Sequence, residues 1–102
     1  MSDDGRSLAE LFRLDGQVVV VTGASSGLGD RFARVLHASG AHVVVAARRA
    51  DRLESLASAL GDRVTVVPSD LTVEEDRERL VEAALGVNGA VDVLVNNAGH
   101  SD

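Results

Sequence analysis

An α/β fold built on a parallel, doubly wound sheet is what this sequence predicts, and three observations predict it. Valine-rich runs stand at Val18–Val21, Val43–Ala47, Val64–Val67 and Val91–Val95. Segments with helical spacing separate them. A glycine-rich turn joins the first run to the first helical segment. The runs are nearly continuous rather than alternating, which suits strands covered on both faces by helices. Asp92 breaks the last run near its start.

Each element has its own justification. Residues 1–16 form a lead-in, with one short helix expected at Leu8–Phe12, and residues 17–102 form the domain proper. In the first helix Leu28, Phe32, Val35 and Leu36 fall on one face, which should be the buried one. Leu53, Leu56, Ala57 and Leu60 do the same in the second helix, and Val73, Leu80, Val81 and Ala84 in the third. Asp51-x-x-Glu54 and Thr72-x-x-Glu75 have the spacing of N-terminal caps. Gly40 and Gly61 stand where helices should stop, and Gly86 and Gly89 bracket the end of the third. The element order is β-α-β-α-β-α-β. Right-handed crossovers, two one way and then a return past the first strand, give four strands in the order 3-2-1-4 with three crossover helices. The reversal opens a crevice at the carboxyl ends of strands one and four.

Composition narrows the functions. The chain has 102 residues and a net charge of −6, with 45% apolar and 25% charged residues, so one soluble domain with an aliphatic core is expected. An acidic surface repels phosphate backbones, which argues against nucleic acid as a partner. There is no cysteine, hence no disulfide and no thiolate metal site. The acidic start of the chain has no secretory pattern, and no aliphatic run approaches the ~18 residues of a membrane span. A cytoplasmic protein without membrane or metal is the expectation. His37 and His42 have no metal-like partner in the sequence, and His100 reads as a surface residue rather than an acid or base.

The turn Thr22-Gly23-Ala24-Ser25-Ser26-Gly27-Leu28-Gly29 carries the chemistry. A pyrophosphate needs free N–H donors and room for close approach. A helix N-terminus supplies the donors and a favourable dipole. Gly23 permits the tight exit from the strand, Gly27 the approach of backbone to ligand, and Gly29 the close packing of helix on sheet. Ser25 and Ser26 add hydroxyls. A helix start with glycines chosen only for the turn is the competing reading; the strand–turn–helix context favours the nucleotide. No Gly-Lys-Ser/Thr follows, so this is not a P-loop.

Thr22 to Gly29, Asn96-Asn97-Ala98-Gly99 after strand four and Asp70-Leu71 after strand three together resemble the short-chain dehydrogenase/reductase family, in its shorter, non-extended subgroup. The resemblance runs from about Leu14 to Gly99. It implies the N-terminal half of a Rossmann domain and a hydride transfer between a nicotinamide cofactor and an alcohol or ketone. Gly23, Ser25, Ser26, Gly27, Leu28 and Gly29 would face the cofactor's phosphates. By the same resemblance Asp70 would accept from the adenine amino group beside the backbone of Leu71; spacing alone makes Asp70 a turn or cap residue. Asn96 would stabilise the central sheet, and Asn97, Ala98 and Gly99 would line the cofactor.

The end of strand two decides which cofactor. An acid there accepts from the ribose of NAD and repels the 2′-phosphate of NADP. The strand ends Ala46-Ala47-Arg48-Arg49, with no acid, and two guanidiniums can clamp a phosphate. NADP is therefore expected, with NAD as the alternative and solvated loop arginines as the competing reading. The nearby Asp51 is taken up by its cap spacing.

The family's proton transfer uses a Tyr-x-x-x-Lys pair. This sequence has no tyrosine, and its ten basic residues are all arginine. No catalytic residue is therefore assigned, and the 102-residue chain is expected to be inactive by itself. A full-length form would act on a small alcohol or ketone and would be a homo-oligomer. The alternative function is a non-catalytic nucleotide-binding or partner-assembling half-domain.

Overall fold

The computed structural model describes residues 13–97. The expected helix at Leu8–Phe12 and the expected contacts of Ala98, Gly99 and His100 lie outside them. β1 (Val18–Thr22), α1 (Gly27–Ala38), β2 (His42–Ala47), α2 (Ala50–Leu60), β3 (Val64–Pro68), α3 (Glu74–Asn88) and β4 (Val93–Asn96) follow in order. They form one four-stranded sheet of order β3-β2-β1-β4, every pairing parallel. Fold class and strand order are those the sequence implies.

Alternation along the strands divides the core in two. Val19, Val21, Val43 and Val45 pack with Ala33, Leu53 and Leu56 under α1 and α2. Val18, Val20, Val44 and Ala46 pack with Leu80 and Ala84 under α3. β1 and β2 are buried throughout except for His42, so their unbroken valine runs suit a strand covered on both faces.

Several expectations are corrected. α1 turns Gly29 and Ala33 toward the sheet and partly buries Leu36, while Leu28, Phe32 and Val35 stand 55%, 37% and 58% exposed. A helix held this close to a sheet has room beneath it only for small residues. α3 likewise buries Leu80 and Ala84 but leaves Val73 and Val81 exposed. Neither expected cap forms. Arg49 and Val73 occupy the cap positions, without side-chain bonds. Asp51 lies in the first turn of α2 and binds Arg49, and Thr72 spends its hydroxyl on Asp70. Gly86 lies inside α3, which stops at Gly89 in a left-handed conformation. β4 begins at Val93. Asp92 precedes it, its carboxylate accepting from the N–H of Val18 at 2.8 Å while its own N–H donates to the carbonyl of Val18 at 2.9 Å. The polar interruption of the valine run is thus a cross-strand tie at the start of β1.

Candidate functional site: the crevice at the ends of β1 and β4

The carboxyl ends of β1 and β4 meet where the strand order reverses, and their two turns are knitted together. Thr22 is the one polar residue of β1 and is 3% exposed, so its hydroxyl needs partners. It donates to Oδ1 of Asn96 at 3.0 Å and accepts from the N–H of Asn97 at 3.0 Å. The Asn97 amide then crosses to the glycine turn, donating from Nδ2 to Oγ of Ser26 at 2.9 Å. Ser26 Oγ donates to the carbonyl of Gly23 at 2.8 Å and accepts from the N–H of Gly29 at 3.2 Å, capping α1. The hydroxyl of Ser26 therefore serves the fold rather than standing ready as a donor.

Gly29 shows why this turn takes glycine. A Cβ there would overlap the carbonyl oxygen of Gly23 and lie 2.9 Å from Nδ2 of Asn97. The close helix–strand approach depends on its absence. Gly23 has φ of +64°, a region that favours glycine. Gly27 has open space where its Cβ would go. The N–H groups of Gly27 and Leu28, in the first turn of α1, have no acceptor among the described residues. Ser25 is 7% exposed, and its Oγ is buried without a hydrogen-bond partner among the described residues. These features fit an anionic, phosphate-bearing group.

The ends of β2 and β3 form the neighbouring wall. Arg48 and Arg49 are exposed beyond β2. Arg49 lies 3.3 Å from Asp51, and this bond holds the Asp51 carboxyl below its ordinary value. Asp70 accepts at Oδ1 from the hydroxyl of Thr72 at 2.6 Å and from its N–H at 3.0 Å. Those bonds, then the charge of Arg48, hold its carboxyl below the usual value. Asp70 thus fills its turn role while remaining ionised beside Arg48. Leu71 is half-buried and packs on the α3 side of the core.

Between the first turns of α1 and α2 runs a polar cleft lined by Ser25, Ser26, Asp30, Arg34, Asp51 and Arg52. Arg52 is a residue the sequence reading passed over. Its NH1 reaches the carbonyl of Ser25 at 3.5 Å. No spacing rule marks it, because its relation to the turn exists only once α2 lies beside α1. Thr22 was legible as the motif's first residue, but its partnership with both asparagines was not. On the other face, an apolar groove of about 530 Å³ opens between α3 and β4, lined by Val20, Leu80, Val81, Leu85 and Leu94. Its lining is almost wholly hydrocarbon, with Arg77 as the one charged side chain. No cluster able to hold a metal ion occurs among the described residues, and no helix there is long and apolar enough to cross a membrane.

A glycine turn at a helix N-terminus, clasped by asparagines at a switch point of a parallel sheet, defines an α/β protein of Rossmann type. Comparison with known proteins makes this specific: the chain belongs to the short chain dehydrogenase family, whose model matches residues 17–102. It is 46% identical over 89 residues to nodulation protein G of Rhizobium sp. (strain N33), covering 87% of this chain and 36% of that protein. An uncharacterized oxidoreductase of Staphylococcus aureus (strain MRSA252) is 42% identical over 87 residues, covering 84% of this chain and 38% of the relative. Among solved structures, the 3-ketoacyl-(acyl-carrier-protein) reductase of Brucella melitensis complexed with NADH superposes with a TM-score of 0.76 at 40% identity, over 79% of this chain and 33% of that one. The hydroxysteroid dehydrogenase of Escherichia coli gives 0.82 at 35% identity, over 90% and 40%. The chain therefore spans between a third and two fifths of the length of these relatives.

Proposed function

We propose that this chain forms the cofactor-binding part of an NAD(P)-dependent oxidoreductase that moves hydride between nicotinamide and a small alcohol or ketone, with NADP preferred. The carrying observation is the clasp of Thr22, Asn96, Asn97 and Ser26, which holds the glycine turn and the end of β4 as one rigid crevice wall. Within it Gly23, Gly27, Leu28 and Gly29 give the pyrophosphate backbone donors and room, and Ser25 adds a hydroxyl. Asp70 and the backbone of Leu71 would face the adenine, and Asn97, Ala98 and Gly99 the ribose and the start of the nicotinamide half. When bound, the nicotinamide supplies the hydride at C4. This chain's residues would orient the dinucleotide and exclude water from its phosphates. They would not move the substrate proton, since the sequence has no Tyr-x-x-x-Lys. The similar solved structures, a reductase and dehydrogenases, agree with carbonyl–alcohol chemistry.

Arg48 with no acid at the end of β2 supports NADP, although the Brucella reductase was solved with NADH. Titrating NADPH and NADH into the chain and its Arg48→Ala variant tests this. Arg48→Ala is expected to lose about tenfold in NADPH affinity, the worth of one charge-assisted contact, and little for NADH. An unchanged NADPH:NADH ratio in the variant defeats the preference. A second reading, a half-domain that assembles with a partner, is favoured by the exposure of β4, where Leu94 is 60% exposed.

A further inference from the structure

We infer that Asn88 is a site of spontaneous deamidation, and that its conversion to aspartate or isoaspartate releases a tie between α3 and the turn before β1. Asn88 is the last residue of α3, and of the three asparagines in the sequence it alone is followed by glycine. Both Asn88 and Gly89 are exposed. A Cβ on Gly89 would meet nothing within 4 Å, so a side chain can approach the Gly89 nitrogen from open space. The Asn88 side chain is already folded back on the main chain. Its Oδ1 accepts from the N–H of Ala90 at 3.1 Å, a bond that spans the Gly89 peptide. Accepting there draws electron density from Cγ and makes it a better electrophile. Its Nδ2 donates to the carbonyl of Gly16 at 3.0 Å. Only this orientation of the amide serves both partners.

The chemistry needs water alone. The Gly89 nitrogen gives up its proton to solvent base and bonds to Cγ. The Cγ–Nδ2 bond breaks and, with a proton from water, ammonia leaves. The succinimide so formed takes up water at one of its two carbonyls and opens to aspartate or isoaspartate. One contact holds the step back. The Gly89 N–H donates to the carbonyl of Leu85 at 2.7 Å, closing α3 at its left-handed cap. The nitrogen can attack only when that terminal bond opens, and helix ends open readily. The last turn of α3 therefore sets the pace. Either product ends the tie. A carboxylate only accepts, so it meets the Gly16 carbonyl without a donor, and it adds negative charge at the negative end of the helix dipole. Isoaspartate also inserts its Cβ into the main chain between α3 and Asp92, whose two bonds to Val18 begin the pairing of β4 with β1.

Peptide mapping by mass spectrometry tests this on the 102-residue chain, aged at mildly alkaline and mildly acidic pH, folded and in urea. The expected result is the mass gain of amide-to-acid conversion on Asn88, with isoaspartate among the products and a faster reaction at the higher pH. Urea should speed it, because the Leu85 bond no longer restrains the nitrogen. Gly89→Ala, compared in urea so that its effect on folding does not matter, should slow it. No conversion at Asn88, or conversion of Asn96 or Asn97 at an equal or greater rate in the folded chain, overturns the site. Equal rates folded and in urea overturn the restraint by α3, and a Gly89→Ala chain that reacts as fast as the parent overturns the route through the Gly89 nitrogen. The consequence has its own measurement. Asn88→Asp, which reproduces the aspartate product, should lower the urea midpoint by about 0.3–1 M, the worth of one hydrogen bond. A midpoint equal to the parent's overturns the role of the tie.

Discussion

At the scale of residues, the crevice depends on groups whose size or bonding admits few substitutes. Gly29 is the clearest. Its missing Cβ is filled on one side by the Gly23 carbonyl and on the other by the Asn97 amide. Gly29→Ala is therefore expected to destabilise the chain by about 1–3 kcal/mol, the usual result of overpacking against backbone that cannot yield. Thermal unfolding of the variant measures it, and an unchanged melting temperature would show that the turn can open at little cost. Gly29 was legible in the sequence because glycine spacing encodes steric need. The second job of Asn97 was not, since no local pattern announces an amide that bonds a serine 71 positions earlier. Asp51 was misread for a related reason. A cap spacing matches several acids near a helix start, and the choice among them depends on which residue turns first into helical geometry, here Ala50.

At the scale of elements, strands were more readable than helix faces. Continuous valine runs have one good solution, burial on both sides, and β1 and β2 adopt it. Helix α1 carries two candidate stripes, and hydrophobicity alone selects the wrong one. Gly29 and Ala33 face the sheet because distance, not apolar area, decides that contact. The start of β2 adds a charge effect. His42 Nε2 lies 2.7 Å from Oγ1 of Thr65, and burial first, then the charges of Arg63 and His37, lower its pKa from the ordinary 6.5. A histidine whose folded pKa lies below its unfolded one contributes stability in full above the unfolded value. That contribution is lost as pH falls from there through the folded value. Stability should therefore decline below about pH 6.5, and His42→Gln should flatten that part of the curve. Urea midpoints measured between neutral and mildly acidic pH give both slopes, and parallel curves for the two proteins would refute the assignment.

At the scale of the whole molecule, exposed apolar residues stand on β4, on α3 and on α1. Among the described residues β4 pairs with β1 alone. Leu94 faces the groove with Val81 and Leu85, and Leu28, Phe32 and Val35 lie exposed on α1. An unpaired apolar edge of this kind favours association. The 102-residue chain in isolation is expected to self-associate or to melt broadly, as sedimentation velocity and a thermal scan would reveal. A sharply melting monomer would show that this surface is tolerated. The strand order behind this arrangement was legible from handedness and crossover rules. The exposed helix faces were not, because apolar spacing on α1 and α3 does not say which stripe the sheet will cover.

The clasp has a consequence for how the protein reaches its binding state. Its hydrogen bonds join residues 71 to 75 positions apart, from the first strand to the last. Closing so long a loop is entropically unfavourable and comes after local structure. The crevice wall therefore exists only in a chain whose sheet has closed from β1 to β4, although the glycine turn and α1 could form locally before that. A nucleotide that needs both walls is held only by the closed form, so its binding shifts the folding equilibrium toward completion. The ligand would in effect count strands, and saturation with nucleotide would report that the fourth had arrived.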